Sequence, residues 1–264
     1  MRFVRFVHPA GAAFGVVEGE QGAPLDALTV AEIEGHPFGE ITFTGQRWAL
    51  NDVRLLSPIL PSKVVGVAGN YPAIAAEIGQ SELTTPRIFL KPSTTVIGPN
   101  DAVRLPVDSK NTIHEVELAV VIGARGARNV KHDRALDSVF GYTVANDITA
   151  FDQLKSDGHF TRAKSHDSFC PIGPWIDTDF RPDGQELSCE VDGEMRQRDS
   201  IKSMTHDIAT LISYVSHIMT LLPGDVLLTG TPQGTSALAG GNIMRATVEG
   251  IGTLVNPVVE KAAA

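Results

Sequence analysis

Along most of the chain the apolar residues come in short blocks broken by glycine and proline, a strand pattern rather than a helical one. Arg2–His8 reads as a first strand and Ala13–Val17 as a second, followed by a Gly- and Pro-punctuated stretch to Trp48. Asn51–Leu56 leads into Ser57-Pro58-Ile59-Leu60-Pro61, whose two prolines no regular element accepts in its middle. A boundary there divides the chain into a small β subdomain over 1–57 and a main domain over 58–264. Beyond it, Lys63–Ala68 is a continuous apolar run suited to a buried strand, and Ile88–Leu90, Leu118–Ile122, Phe140–Val144, Asp225–Leu228 and Asn242–Glu249 are similar. Helical spacing predicts a long helix over Met204–Leu222, stopped by Pro223-Gly224, and a shorter one over Asp133–Val139. A further helix over Pro72–Ile78 has proline in its first turn and Gly79 at its exit. Many strands and few helices predict a mainly β (α+β) sandwich or roll.

Charge and composition narrow the function classes. The chain has 264 residues, 42% hydrophobic and 20% charged, which is ordinary for a globular protein. Its formal net charge of −9, with no dense basic patch, argues against nucleic acid and anionic membrane as partners. No apolar run approaches the roughly 20 residues that span a bilayer. His8-Pro9 interrupts the basic, apolar start before a signal-peptide core forms. Cys170 and Cys189 are too few for a disulfide framework and read as buried thiols, so a cytoplasmic location is expected.

The candidate chemistry lies in carboxylates. In His114-Glu115-Val116-Glu117-Leu118, strand alternation puts Glu115 and Glu117 on one side and His114 on the other. Paired like charges repel unless a cation sits between them. An exposed polar edge would explain the pair equally well. A third carboxylate, Asp147, arrives where the apolar strand Tyr142-Thr-Val-Ala ends in Asn146-Asp147; an Asx turn or helix cap is the plainer explanation of that pair. Three carboxylates completed by water suit a hard divalent cation, Mg²⁺ first, with Mn²⁺ or Ca²⁺ as alternatives.

Several segments, in order, resemble the fumarylacetoacetate hydrolase family, in its bacterial acylpyruvate hydrolase and 2-hydroxyhepta-2,4-diene-1,7-dioate isomerase-like branch. They include Gly69-Asn-Tyr71, Phe89-Leu-Lys-Pro92, His114-Glu-Val-Glu-Leu118, Gly141-Tyr-Thr-Val-Ala-Asn-Asp147, Lys164-Ser165, Phe169-Cys-Pro-Ile-Gly-Pro-Trp175 and Leu228-Thr-Gly-Thr-Pro232. The resemblance implies a mixed β-sandwich roll, a homodimer, and a small-molecule substrate of the β-diketo or 2-oxo acid type. It implies a metal held by Glu115, Glu117 and Asp147, a second positive charge from Lys164, and a substrate contact at Thr231. The residues before 58 resemble an accessory domain carried by many bacterial members.

Two departures stand out. The family's lid pattern Asn-Tyr-x-x-His-x-x-Glu reads Asn70-Tyr71-Pro-Ala-Ile74-Ala-Ala-Glu77 here: the catalytic Glu77 stays, but Ile74 cannot activate water. After the aspartate, a substrate-gripping Arg and Gln are replaced by Phe151 and Leu154. These changes at substrate-binding positions point to a less charged enolisable substrate and to isomerisation, tautomerisation or a cyclising biosynthetic step. The alternatives are an ordinary hydrolase or decarboxylase, with His159 or His166 standing in as base, and a non-catalytic metal-binding relative. The metal expectation is checked by elemental analysis and by melting with and without chelator. A bound divalent ion and a chelator-sensitive melting temperature are expected; neither appearing would contradict it.

Overall fold

The computed structural model describes residues 1–9, 11–77 and 84–260. Its centre is the strand Val116–Ile122, in which every residue is buried. This is the reason for the unbroken apolar run: both faces are covered. On one face Val116, Leu118, Val120 and Ile122 pack in a cluster with Leu187, Ala246 and Val248 of a second sheet and with Leu211, Ile212 and Val215 of a helix. On the other, Ala119 and Val121 meet Val64, Val226, Leu228 and Ile176.

The main sheet is mixed. Its path runs Phe43–Ala49, Thr29–Ile33, Gly11–Glu18, Arg2–His8, Cys170–Asp177, Val139–Asn146, Val116–Ile122, Val226–Leu228, Lys63–Ala68, Arg87–Pro92. Val116 lies opposite Asn146, and Leu118 opposite Val144. The strands of the first 57 residues are continuous with this sheet through antiparallel pairing of Arg2 with Asp177 and Phe3 with Ile176. A second sheet of five strands joins Glu194–Ser200, Glu186–Val191, Ile243–Val248, Gly252–Glu260 and Val103–Leu105. The fold is therefore mostly β with mixed sheets, as the block pattern predicts.

Among the described residues four short α-helices accompany the sheets: α1 (Pro72–Glu77), α2 (Phe151–Asp157), α3 (Phe160–Lys164) and α4 (Ile208–Ile218). The first matches its expected start; Ile78 and Gly79, its expected exit, lie outside the described residues. α4 is shorter than its apolar spacing implies. Asp207 caps it by accepting from the Thr210 N–H at 2.7 Å, and beyond it Leu221 bridges to Ala127 in extended conformation. The expected helix at Asp133–Val139 is instead a 3₁₀ segment over His132–Ser138. The pair α2 and α3, broken by left-handed Gly158, was not legible because its apolar positions face the site and not the core.

Truncating the central strand tests this arrangement. Leu118→Ala leaves a cavity among fully buried neighbours and is expected to cost about 2–5 kcal/mol in urea unfolding. A loss below about 1 kcal/mol would contradict the packing described.

Candidate functional site

Glu115, immediately before the central strand, and Glu117, within it, converge with Asp147 at the end of the paired strand Val139–Asn146. One ligand oxygen from each lies within 4.8 Å of the others. Local hydrogen bonds build this corner. The Asn146 side chain accepts from the Glu115 N–H at 2.8 Å, and the Asp147 N–H donates to the Glu115 carbonyl at 2.8 Å.

Two buried lysines enter the group. Lys164 Nζ, at the end of α3, donates to Glu115 Oε2 at 2.7 Å and to Asp147 Oδ2 at 2.5 Å. Lys91 Nζ, from Arg87–Pro92, donates to Asp147 Oδ1 at 2.6 Å and to the Ile148 carbonyl at 3.2 Å. Thr149 Oγ1 donates to Glu115 Oε1 at 2.8 Å, so Glu115 has a partner on each oxygen. Glu117 is served less well: among the described residues its one hydrogen bond is from the Gly230 N–H, at 2.6 Å. Gly230 has φ +98°, and a Cβ there would lie 2.7 Å from Asn70 Cβ, so glycine is what allows that N–H to approach.

These environments drive the carboxyls apart. Burial pushes the Glu117 carboxyl well above its usual range, and the Asp147 charge adds to the effect. Burial likewise raises Glu115, although Lys164 opposes it. At Asp147 burial is outweighed by the Lys164 and Lys91 ammoniums, which hold the carboxyl below its usual range. Burial works against the Lys164 charge, but Asp147 and Glu115 outweigh it and keep the ammonium protonated. The donor set, all carboxylate oxygen with one member undercompensated, suits a hard divalent cation.

His114 is buried and takes no part in the triad, as its place on the opposite face implies. Its Nδ1 lies 2.9 Å from Gln197 Oε1, which also accepts from the Val116 N–H, so Nδ1 carries the proton and Nε2 accepts from Ser236 Oγ at 2.9 Å. Burial pushes this imidazole down to about 4, leaving it neutral. Gln197 Nε2 in turn donates to Thr231 Oγ1 at 2.9 Å, and Thr231 Oγ1 donates to the Val116 carbonyl at 2.9 Å. The Thr231 hydroxyl proton is thereby committed to the fold.

The triad opens into a cavity of about 840 Å³. Ile74, Phe151, Leu154, Lys164 and Thr231 all line it, together with Glu115 and Glu117. Glu77 closes α1, but its side chain lies outside the described residues. Neither His159 nor His166 lines the cavity, and His166 Nε2 lies 2.7 Å from Gln153 Oε1. The expectation that either could be recruited as a base is not supported by their positions. Lys91 was missed as a site residue. A lysine in the middle of the apolar run Ile88-Phe-Leu-Lys91 was the available signal, since a strand buries such a charge only beside a partner. Gln197 gave none, standing in the polar segment Glu194–Ser200.

The imbalance at Glu117 has a thermodynamic consequence. Because its folded pKa is raised, its contribution to stability is present at low pH and lost as pH rises through that value. In metal-free protein Glu117→Gln should therefore raise the melting temperature near neutral pH and flatten the decline that sets in above the ordinary carboxylate range. The same variant should lose any increment that an added divalent cation gives the natural chain. Melting curves with and without Mg²⁺ check both; a metal-free variant that melts lower would contradict the imbalance.

Residues 63–259 match the family model described as fumarylacetoacetate (FAA) hydrolase C-terminal, and residues 1–58 match one described as Rv2993c-like, N-terminal. A crystal structure of 2-hydroxyhepta-2,4-diene-1,7-dioate isomerase from Mycobacterium marinum superposes with a TM-score of 0.93 at 48% identity, covering 100% of both chains. Fumarylpyruvate hydrolase from Pseudomonas aeruginosa, solved in complex with Mn²⁺ and pyruvate, gives a TM-score of 0.72 at 31% identity over 79% of this chain and 92% of its own. The mitochondrial oxaloacetate tautomerase fahd2 of Xenopus laevis is 36% identical over 222 residues, 79% of this chain and 69% of its own. With a family model spanning most of the chain and a neighbour alike from end to end, the carboxylate corner has its context: this chain is an enzyme of the fumarylacetoacetate hydrolase family.

Proposed function

We propose that this enzyme uses a divalent metal, Mg²⁺ first, at Glu115, Glu117 and Asp147 to isomerise or tautomerise an enolisable 2-oxo acid. The observation that carries the reading is the cavity wall: among the described residues no histidine lines it, and Ile74 occupies the place where a water-activating base would stand. Hydrolysis needs a nucleophilic water and a base to deprotonate it; moving a proton between carbon and oxygen needs a group that exchanges that proton but no activated water. Ile74, Phe151 and Leu154 make the wall apolar on that side and keep water from a reactive enolate.

A bound divalent ion would supply Lewis-acid stabilisation of the charge that develops on the enolising oxygen. Lys164, kept protonated by its carboxylate neighbours, stands beside the same corner as a second fixed positive charge. Glu77 is proposed as the carboxylate that exchanges the proton at carbon, on its sequence position alone. The Xenopus relative named as an oxaloacetate tautomerase and the mycobacterial neighbour named as an isomerase support a reaction of this class.

The test compares two activities in one preparation. Ultraviolet absorbance should show catalysed enol-to-keto conversion of oxaloacetate that disappears with chelator and in Glu115→Ala, while acylpyruvate cleavage stays near background. Ile74→His combined with Phe151→Arg should raise cleavage by about a hundredfold or more, the low end of what a positioned base supplies. Cleavage by the natural chain as fast as tautomerisation would overturn the proposal.

A further inference from the structure

Beside the cavity runs a line of hydrogen bonds for which only one set of donors is consistent. It starts at two backbone groups whose polarity is fixed. The Val116 N–H donates to Gln197 Oε1 at 3.1 Å, and the Pro232 carbonyl accepts from Gln197 Nε2 at 2.7 Å. Between them these contacts decide which end of the amide is oxygen. His114 Nδ1, 2.9 Å from that oxygen, is therefore the donor to it. The imidazole is fully buried with uncharged partners on both nitrogens, so it stays neutral and its Nε2 carries a lone pair. Ser236 Oγ, 2.9 Å from Nε2, has to supply the proton for that contact.

Ser236 lines the cavity, and among the described residues His114 is the one hydrogen-bond partner of its hydroxyl. With its proton committed to His114, Oγ keeps two lone pairs and has no donor left. An unconstrained serine turns its hydroxyl to suit either kind of partner; this one can only accept. The order serine, histidine, amide has the connectivity of a nucleophile relay, but a neutral amide lends no charge to an imidazolium. The line thus fixes the serine proton and does not remove it. Thr231, in the same wall, is held in the same way, accepting from Gln197 Nε2 and donating to the Val116 carbonyl.

The backbone sets Ser236 next to the triad. Ala237 bridges antiparallel to Ile113, and the Leu238 N–H donates to the Thr112 carbonyl at 2.8 Å. Ser236 therefore stands alongside His114, one residue from Glu115, a strand rise of about 3.3 Å. That is close to the reach of two carbon–carbon bonds.

We propose that Ser236 Oγ is a specificity-determining acceptor, and that the substrate carries a hydroxyl at C4, two carbons beyond its oxo carbon, that donates to it. This rests on the reading of the triad as a 2-oxo acid site. A bare alkyl chain at C4 leaves the serine oxygen without a partner, whereas a hydroxyl supplies the proton that this wall lacks.

The test is a binding measurement that needs no turnover. Mg²⁺-loaded protein is titrated calorimetrically with 4-hydroxy-2-oxopentanoate, 2-oxopentanoate and 4-methoxy-2-oxopentanoate. All three share the 2-oxo acid end, and the methoxy compound keeps the C4 oxygen but cannot donate. The natural chain should bind the hydroxy compound more tightly than either of the others by about fivefold or more, as one added hydrogen bond gives. Ser236→Ala should bring the ratio of hydroxy to unsubstituted ligand near one, and Ser236→Thr should keep it. Mg²⁺ stoichiometry in each variant checks that the site is formed. Long-range ¹H–¹⁵N spectra should show His114, identified by its shift in Ser236→Ala, as the Nδ1–H tautomer. A methoxy or unsubstituted ligand that binds as tightly as the hydroxy compound, a preference that survives Ser236→Ala, or an Nε2–H tautomer overturns the role of Ser236 alone. Failure of all three ligands to bind overturns the 2-oxo acid reading and the assignment of Ser236 with it.

Discussion

Carboxyl groups held within a few ångströms of one another, away from water, are stable as anions only where cations stand among them. Glu115, Glu117 and Asp147 are such a group. Two ammoniums, Lys91 and Lys164, balance part of it, and both act on Asp147. One formal negative charge is left over, and it falls on the side where Glu117 has only a backbone N–H. A divalent ion would turn that deficit into one net positive charge, facing the cavity.

The rest of the fold serves to hold these groups against their repulsion. The central strand is buried on both faces and paired on both edges, so the backbone carrying Glu117 has little freedom to relax. Asn146 and the Asp147 N–H bind the backbone of Glu115 to the end of the neighbouring strand. The Gln197 side chain connects His114, Val116 and Thr231 beneath the site, which uses the polar capacity of that layer internally. Polar residues there are satisfied by one another, whereas Glu115 and Glu117 of the triad face the cavity.

Much of this was legible in the sequence, for physical reasons that differ by element. Strands buried on both faces announce themselves as unbroken apolar runs, and Lys63–Ala68 is observed with the bounds read from its residues. Glu115 and Glu117 were legible because side chains alternate along an extended chain, and Asp147 because a polar pair ended an apolar strand. The resemblance then joined them. Half-buried strands such as Glu186–Val191 and Glu194–Ser200 were missed, since their polar faces dilute the apolar signal. α2 and α3 were missed because each is short and turns its large apolar residues, Phe151, Leu154 and Phe160, to the cavity. Gln197 depends on contacts between residues far apart in sequence, which no local pattern carries, whereas Lys91 left a local sign in closing the apolar run Ile88-Phe-Leu.

Ile74, Phe151 and Leu154 make one wall of the cavity apolar, while Glu115, Glu117 and Lys164 leave it charged at the carboxylate corner. The most direct measurement is a titration of metal-stripped protein with Mn²⁺, read by electron paramagnetic resonance. One tight Mn²⁺ site per chain is expected, lost in Asp147→Ala. No tight site, or one that persists in that variant, would contradict the assignment of the metal to these three carboxylates.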